Sequence, residues 1–140
     1  MRSLSRGAYR YLRLLFLVYY CQKRNVTVPR AFRNTAQRFP NRPALIFENK
    51  TWTFSDLEEF SNRMAHFLLR RGFKPGDCVA LFMNNCPEYV GLWLGCAKIG
   101  VVPALINSNL SGQPLLHSIT AASATACIFG ADLAESECET

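Results

Sequence analysis

Residues 79–110 read VALFMNNCPEYVGLWLGCAKIGVVPALINSNL, and this stretch decides the fold. Val79–Met83 is short and apolar on both faces, the pattern of a strand covered on two sides. Pro87 suits the first turn of a helix, where its missing N–H costs nothing. The helix predicted from Tyr89 to Ile99 ends at Gly100, which supplies a left-handed conformation. Val101–Ile106 then returns to the sheet. Such a strand–helix–strand unit joins parallel strands. Val90, Leu92, Trp93, Leu94, Cys96, Ala97 and Ile99 wrap most of the helix, and only Glu88 and Lys98 carry charge. A helix apolar all round is buried, and this one is shorter than the roughly 20 residues that cross a bilayer. It is therefore expected in a core against the sheet, covered outside by something else, inside a larger body that this chain does not complete. Gly91 and Gly95, four apart, would let that neighbour approach closely. A membrane helix-pair reading of the same spacing is disfavoured by the short apolar run.

The chain has 140 residues, enough for one domain or part of one. With 49% hydrophobic and 19% charged residues it is globular rather than disordered. A net charge of +6 invites a nucleic-acid reading, but its distribution opposes one. Met1–Arg42 holds ten Lys or Arg and no Asp or Glu, whereas six basic residues meet ten acidic ones from Pro43 onward. The pattern is a basic N-terminal arm on a near-neutral or acidic domain, with no nucleic-acid partner expected. Of the six cysteines, no two are separated by only two residues, and no His pair accompanies them, so zinc is not expected. Buried free thiols in a reducing compartment are the expectation, and a disulfide framework would suit a smaller, loop-rich secreted chain.

Residues 2–24 predict an amphipathic helix. At about 100° per residue, Arg2, Arg6, Arg10, Arg13 and Arg24 fall on one stripe. Leu4, Tyr11, Leu12, Leu15, Phe16, Val18 and Tyr19 lie on the broad opposite side, and Leu17 and Tyr20 interrupt the polar face. A basic stripe beside an aromatic–aliphatic face suits the headgroup layer of an anionic leaflet. The expected membrane-binding residues are Arg2, Arg6, Arg10, Arg13, Leu12, Leu15, Phe16 and Tyr19. A signal peptide would offer small residues at a cleavage site, but Gln22-Lys23-Arg24 follow. A short or truncated anchor and a helix packed on another domain are the remaining alternatives. Residues 1–27 are thus read as a membrane-associating arm and 28–140 as the incomplete N-terminal part of an α/β domain.

Further along, a helix is expected from Pro29 to Phe39, with Phe32, Ala36 and Phe39 as its apolar stripe. Ala44–Glu48 and Thr51–Thr53 read as a hairpin turning at Asn49-Lys50. Thr53 with Asp56 approximates a capping box for a helix to about Arg71. Leu57, Phe60, Met64, Phe67 and Leu68 form its inner face, Glu59 and Arg63 a surface pair, and His66 is solvated. Lys74-Pro75-Gly76-Asp77 suits a type II turn. Ser111 can cap a helix carrying Leu115, Leu116 and Ile119, Ala126–Phe129 is another buried strand, and Asp132 begins a last polar helix. Alternating helices and strands predict a doubly wound α/β layer, whose ligands gather at the carboxyl ends of strands. Asn84, Asn85, Asn107, Ser108 and Asn109 follow strand ends; His117 is expected to be packed or partly exposed, with a place facing the same edge as the alternative. Neither the four asparagines nor Ser108 is a strong nucleophile or base.

Trp52-Thr53-Phe54-Ser55-Asp56-Leu57 and Ser61-Asn62-Arg63-Met64-Ala65 resemble the start of the adenylate-forming acyl-CoA synthetase domain. The stretch from Gly76 to Asn85 continues the likeness. Pro87 to Gly100, Ala104 to Leu110 and Leu116-His117 are similar to the fatty acid transport protein branch, also called very long-chain acyl-CoA synthetases. The likeness runs from about Val28 to the end, and the basic helix before it fits that branch's membrane-associated arm. The resemblance implies a ligase that activates a fatty acid with ATP and magnesium through an acyl-adenylate, transfers the acyl group to coenzyme A, and promotes fatty acid uptake. It implies a fatty acid substrate and a membrane lipid partner, with a homo-oligomer open. It also implies a cytosol-facing domain on the endoplasmic reticulum, plasma membrane or peroxisome.

Two departures stand out. Where the branch carries basic residues after the Asn-x-Asn-Leu motif, this chain has Ser111-Gly112. It also has no Ser/Thr/Gly-rich phosphate loop ending in Lys, no later magnesium-side Glu and no C-terminal catalytic Lys. No catalytic, cofactor-binding or metal residue is therefore carried over, and the chain alone is expected to be inactive. It reads as a fragment, a truncated gene model, or a non-catalytic short isoform that binds membranes or a partner. An unrelated small α/β binding domain is the remaining alternative. Open sheet edges predict poor solubility.

Overall fold

The computed structural model describes residues 2–133, with side chains from residue 7 onward. The expectations for Arg2, Leu4 and Arg6 side chains, for Cys138, and for the helix beyond Leu133 lie outside the described residues.

A parallel sheet of three strands carries the fold: β3 (Cys78–Phe82) lies between β4 (Val102–Ile106) and β5 (Ala126–Phe129). Val79, Ala80 and Leu81 are fully buried and Phe82 nearly so, because helices cover both faces. On one face α4 (Pro87–Lys98) brings Leu92 and Cys96 against Val79 and Leu81. On the other, α5 (Gly112–Ala121) brings Leu115 against Ala80, Phe82 and Ile106. The strand–helix–strand unit is as read from residues 79–110, and the doubly wound arrangement as read from the alternation of helices and strands along the chain.

None of residues 87–99 is exposed. The cover comes from α3 (Phe54–Arg70). Gly91 lies against the Phe60 ring, and a Cβ on Gly95 would lie 2.9 Å from the Ser61 carbonyl oxygen. The two glycines are thus the groove into which α3 seats. The inner face of α3 runs through Leu57, Ser61, Ala65 and Leu68, all buried. Phe67, expected on that face, is 41% exposed, one position round from the seam that the glycines select.

A separate hairpin packs on α3: β1 (Pro43–Phe47) pairs antiparallel with β2 (Lys50–Thr53). Its turn is Glu48-Asn49 rather than Asn49-Lys50, because Phe47 pairs with Lys50 and Glu48 takes the positive φ of 53°. α3 opens with the capping box: Asp56 N–H donates to Thr53 Oγ1 at 3.2 Å and Thr53 N–H to Asp56 Oδ2 at 2.9 Å. Gly76, at φ +94°, sits in the predicted turn, closed by Asp77 N–H to the Lys74 carbonyl at 3.1 Å. Ser111 holds the N-cap position of α5 without a side-chain capping bond, and Leu116 is 58% exposed. Glu59 does not pair with Arg63; Ser55 Oγ approaches Glu59 at 3.5 Å, and Arg63 lies over the Phe60 ring.

α1 (Arg2–Lys23) and α2 (Val28–Arg38) precede the hairpin. The α1 end is a Schellman turn. Val26 N–H donates to the Cys21 carbonyl and Asn25 N–H to that of Gln22, with Asn25 at φ +48°. α2 buries Ala36 and sets Phe32 against Phe54 at 5.6 Å between ring centres.

Candidate functional site

Two places hold the residues read as functional: the exposed face of α1 and the carboxyl edge of the sheet.

On α1 every side chain from Gly7 to Tyr20 is exposed. Tyr11, Leu12, Leu15, Phe16 and Tyr19 are each between 46% and 69% exposed. Arg10 and Arg13 are exposed as well and have no carboxylate partner; among the described residues the ion pair is Lys98–Glu58. At the helix end the Lys23 ammonium lies 5.6 Å from the Tyr19 ring centre and the Arg24 guanidinium 5.2 Å from that of Tyr20. An apolar aromatic body with cations at its margin has the chemistry of an interfacial helix. No helix among the described residues is long and apolar enough to cross a membrane.

At the sheet edge, Asn84 follows β3 and donates through Nδ2 to Asp132 Oδ2 at 2.6 Å. Asn107 follows β4, and its Oδ1 accepts from the Asn109 N–H at 3.0 Å, a local Asx turn. Asn85 is exposed and lines a shallow groove of about 230 Å³ with Leu45, Ile46 and Phe47 of the hairpin. His117 is exposed on α5. The structure thus joins Asn84 to Asp132 and Asn107 to Asn109. Among the described residues, no hydrogen bond links those two pairs. Neutral amides and one aspartate offer no cationic group for a triphosphate. No cluster of three or more His, Cys, Asp or Glu stands ready for a metal ion among the described residues. This donor set does not fit ATP or magnesium.

Three of the thiols are equally quiet. Cys21, Cys78, Cys86, Cys96 and Cys127 are free. Burial, with Cys78 nearby, pushes the Cys96 thiol up to about 11. Burial likewise raises Cys86 and Cys127. A protonated thiol is a poor nucleophile.

One polar cluster escaped the sequence reading. Lys98 Nζ donates to Ser61 Oγ at 2.7 Å and to Asn62 Oδ1 at 2.8 Å, and lies 2.8 Å from Glu58 Oε2. Its signal was present, since Gly91, Gly95 and Lys98 share one helical face.

A family model described as AMP-binding enzyme matches residues 32–140. The chain belongs to that family. Long-chain fatty acid transport protein 1 of Rattus norvegicus is 46% identical over 115 residues, covering 81% of this chain and 18% of the relative. The very long-chain fatty acid transport protein of Cochliobolus heterostrophus is 36% identical over 99 residues, 70% of this chain and 15% of its own length. The chain therefore spans about a fifth of the length of the curated relatives it matches. Among solved structures, the N-terminal subdomain of Klebsiella oxytoca NpsA, bound to 3-hydroxybenzoyl-AMSN, matches with TM-score 0.69 and 34% identity. That match covers 73% of this chain and 26% of the subdomain chain. Bacillus subtilis O-succinylbenzoate coenzyme A synthetase, in complex with AMP, gives TM-score 0.68 and 31% identity, over 72% of this chain and 26% of its own. The sheet with helices on both faces is thus the start of the adenylate-forming N-terminal subdomain. The likeness drawn from the Trp52–Leu57 motif is to this family at large, and that drawn from Pro87–Gly100 and Ala104–Leu110 is to its fatty acid transport protein members.

Proposed function

We propose that this chain supplies the membrane-facing arm and the first sheet of an ATP-dependent long-chain or very long-chain fatty acid–CoA ligase that promotes fatty acid uptake. The supporting observation is its identity of up to 46% with fatty acid transport proteins across most of its length. In this reading the whole protein joins a fatty acid to coenzyme A through an acyl-adenylate, using ATP and magnesium. This chain contributes scaffold and membrane contact rather than reacting groups. α1 lies on the anionic cytosolic leaflet of the endoplasmic reticulum or plasma membrane, its arginines among the headgroups and its aromatic face below them. A second reading, a non-catalytic module that docks on membranes or a full-length partner, is favoured by the exposed apolar face of α1 from Tyr9 to Tyr20.

The test replaces the matching segment of rat long-chain fatty acid transport protein 1 with this chain. Thioester formation from ATP, coenzyme A and a long-chain acid is then assayed for the chimera and for the 140-residue chain. The first reading expects activity in the chimera and none in the chain alone. A folded, membrane-bound chimera without activity would overturn it in favour of the second reading. Thioester made by the chain alone would defeat both.

A further inference from the structure

Beside the α1–α2 junction lies a groove of about 600 Å³, walled by α2, the middle of α3 and the end of α4. Arg30, Arg33 and His66 line it, and Glu58 is the one carboxylate in its wall. That carboxylate is already matched by Lys98 at 2.8 Å. Within the groove's wall Arg30 and Arg33 are thus the guanidinium groups without a paired carboxylate, Arg33 also bordering an adjoining groove that Glu59 lines. These two differ from the other arginines of the domain. Arg38, Arg42, Arg63 and Arg71 lie over aromatic rings, and Arg70 donates to the His66 carbonyl. Arg30 and Arg33 are exposed, three residues apart on one helical face, and among the described residues make no hydrogen bond, ion pair or ring contact. Paired guanidinium forks are suited to the oxygens of a phosphate. A phosphomonoester carries about −1.5 to −2 charge at neutral pH, which balances two arginines.

We propose that this groove binds the phosphomonoester headgroup of an anionic membrane lipid through Arg30 and Arg33. The inference rests on the membrane-docking reading of α1 and names the lipid chemistry it selects. Thr27, on the groove wall, follows Lys23 at the end of α1 by four residues, at most about 14 Å of chain. The Schellman turn at Asn25 fixes that junction. A helix lying in the headgroup layer thus holds the groove at the same surface. Leu69 and Ile99 give the groove an apolar wall against which a headgroup ring can rest.

The experiment uses the 140-residue chain and phosphatidylcholine vesicles carrying either phosphatidylserine or phosphatidylinositol 4-phosphate at matched surface charge. Binding is expected to be at least about five-fold tighter to the phosphomonoester vesicles. Arg30→Gln/Arg33→Gln is expected to remove that preference and keep phosphatidylserine binding, with Arg30→Lys/Arg33→Lys in between. Arg10→Gln/Arg13→Gln/Phe16→Ser is expected to weaken both. Free glycerol 3-phosphate is the soluble arm. It should raise the melting temperature of the wild-type chain but not of Arg30→Gln/Arg33→Gln. Equal binding at matched charge, or a preference that survives Arg30→Gln/Arg33→Gln, overturns the proposal. A chain that binds no vesicle loses the α1 reading; with no thermal shift it also loses the groove. A thermal shift without a vesicle preference assigns the groove to soluble phosphates and likewise overturns the lipid proposal.

Discussion

Lys98, in the last turn of α4, reaches Glu58 on α3 with its ammonium 2.8 Å from Oε2. Its hydrogen bonds go elsewhere, to Ser61 Oγ, to Asn62 Oδ1 and, at 3.4 Å, to the Glu58 carbonyl. The carboxylate contact is thus chiefly Coulombic, while the bonds fix the register between the helices. Both side chains are largely shielded, at 13% and 17% exposure.

Cutting that tie is therefore expected to cost more than a surface pair. Lys98→Met leaves a half-buried carboxylate and a buried Ser61 hydroxyl with one partner fewer, and should lower unfolding stability by about 2 kcal/mol. Lys98→Met/Glu58→Leu should cost less than the two single changes summed. Urea denaturation of the four proteins gives the cycle. Additive losses would show that the two residues act independently.

Gly95→Ala should destabilise the α3–α4 seam although alanine favours helices. The new Cβ would stand 2.9 Å from the Ser61 carbonyl oxygen and 3.0 Å from Met64 Cβ, so the helices must separate. Overpacking of about 1–3 kcal/mol outweighs a helical gain of roughly 0.5–1 kcal/mol. A rise in the urea midpoint would refute the close approach.

The capping box predicts an acid dependence. Thr53 hydroxyl and N–H bonds hold the Asp56 carboxyl below its ordinary 3.8. A lowered folded value favours the folded state above the unfolded value and loses that advantage as pH falls through the folded one. The stability gap between wild type and Asp56→Asn should thus be full at neutral pH and close below about pH 3.8. Thr53→Ala should cost about 1 kcal/mol at neutral pH, as loss of an N-cap does. Thermal melts across pH 2.5–7, about the range where such caps titrate, check both.

Cys96 predicts the opposite limb. Its thiol, fully buried against Val79 and Val101, is pushed from 9.0 to about 11. The unfolded chain loses that proton first, so stability should fall as pH rises from about 9 to about 11. Cys96→Ala should lower stability at neutral pH, yet flatten that alkaline slope. Iodoacetamide at neutral pH should leave Cys96 unmodified in the folded chain.

Much of the fold was legible because its signals are local. The apolar runs around Leu81 and Ile106, Pro87 and Gly100 at the ends of α4, and the Thr53–Asp56 cap each act within a few residues. Each specifies its element without help from a distant one. The hairpin turn slipped by one residue because cross-strand pairing of Phe47 with Lys50, rather than the turn's own composition, set it. Phe67 and Leu116 carry core-type side chains at helical spacing. Whether such a residue meets a neighbour depends on where the next element docks.

The sequence by itself determined the α/β class, the order of elements, the basic arm and the family, since periodicity, caps and motifs are written along the chain. Only the tertiary structure decided what pairs with what. It seated Ser61 and Met64 over Gly95 and closed Lys98 on Glu58. It bound Asn84 to Asp132 across 48 positions of sequence, apart from the Asn107 turn. It also left Arg30 and Arg33 unmatched in one groove. The reason is physical: hydrogen bonds and charge pairing act over a few ångströms in space, and chain spacing cannot report distances between residues that folding brings together from far apart.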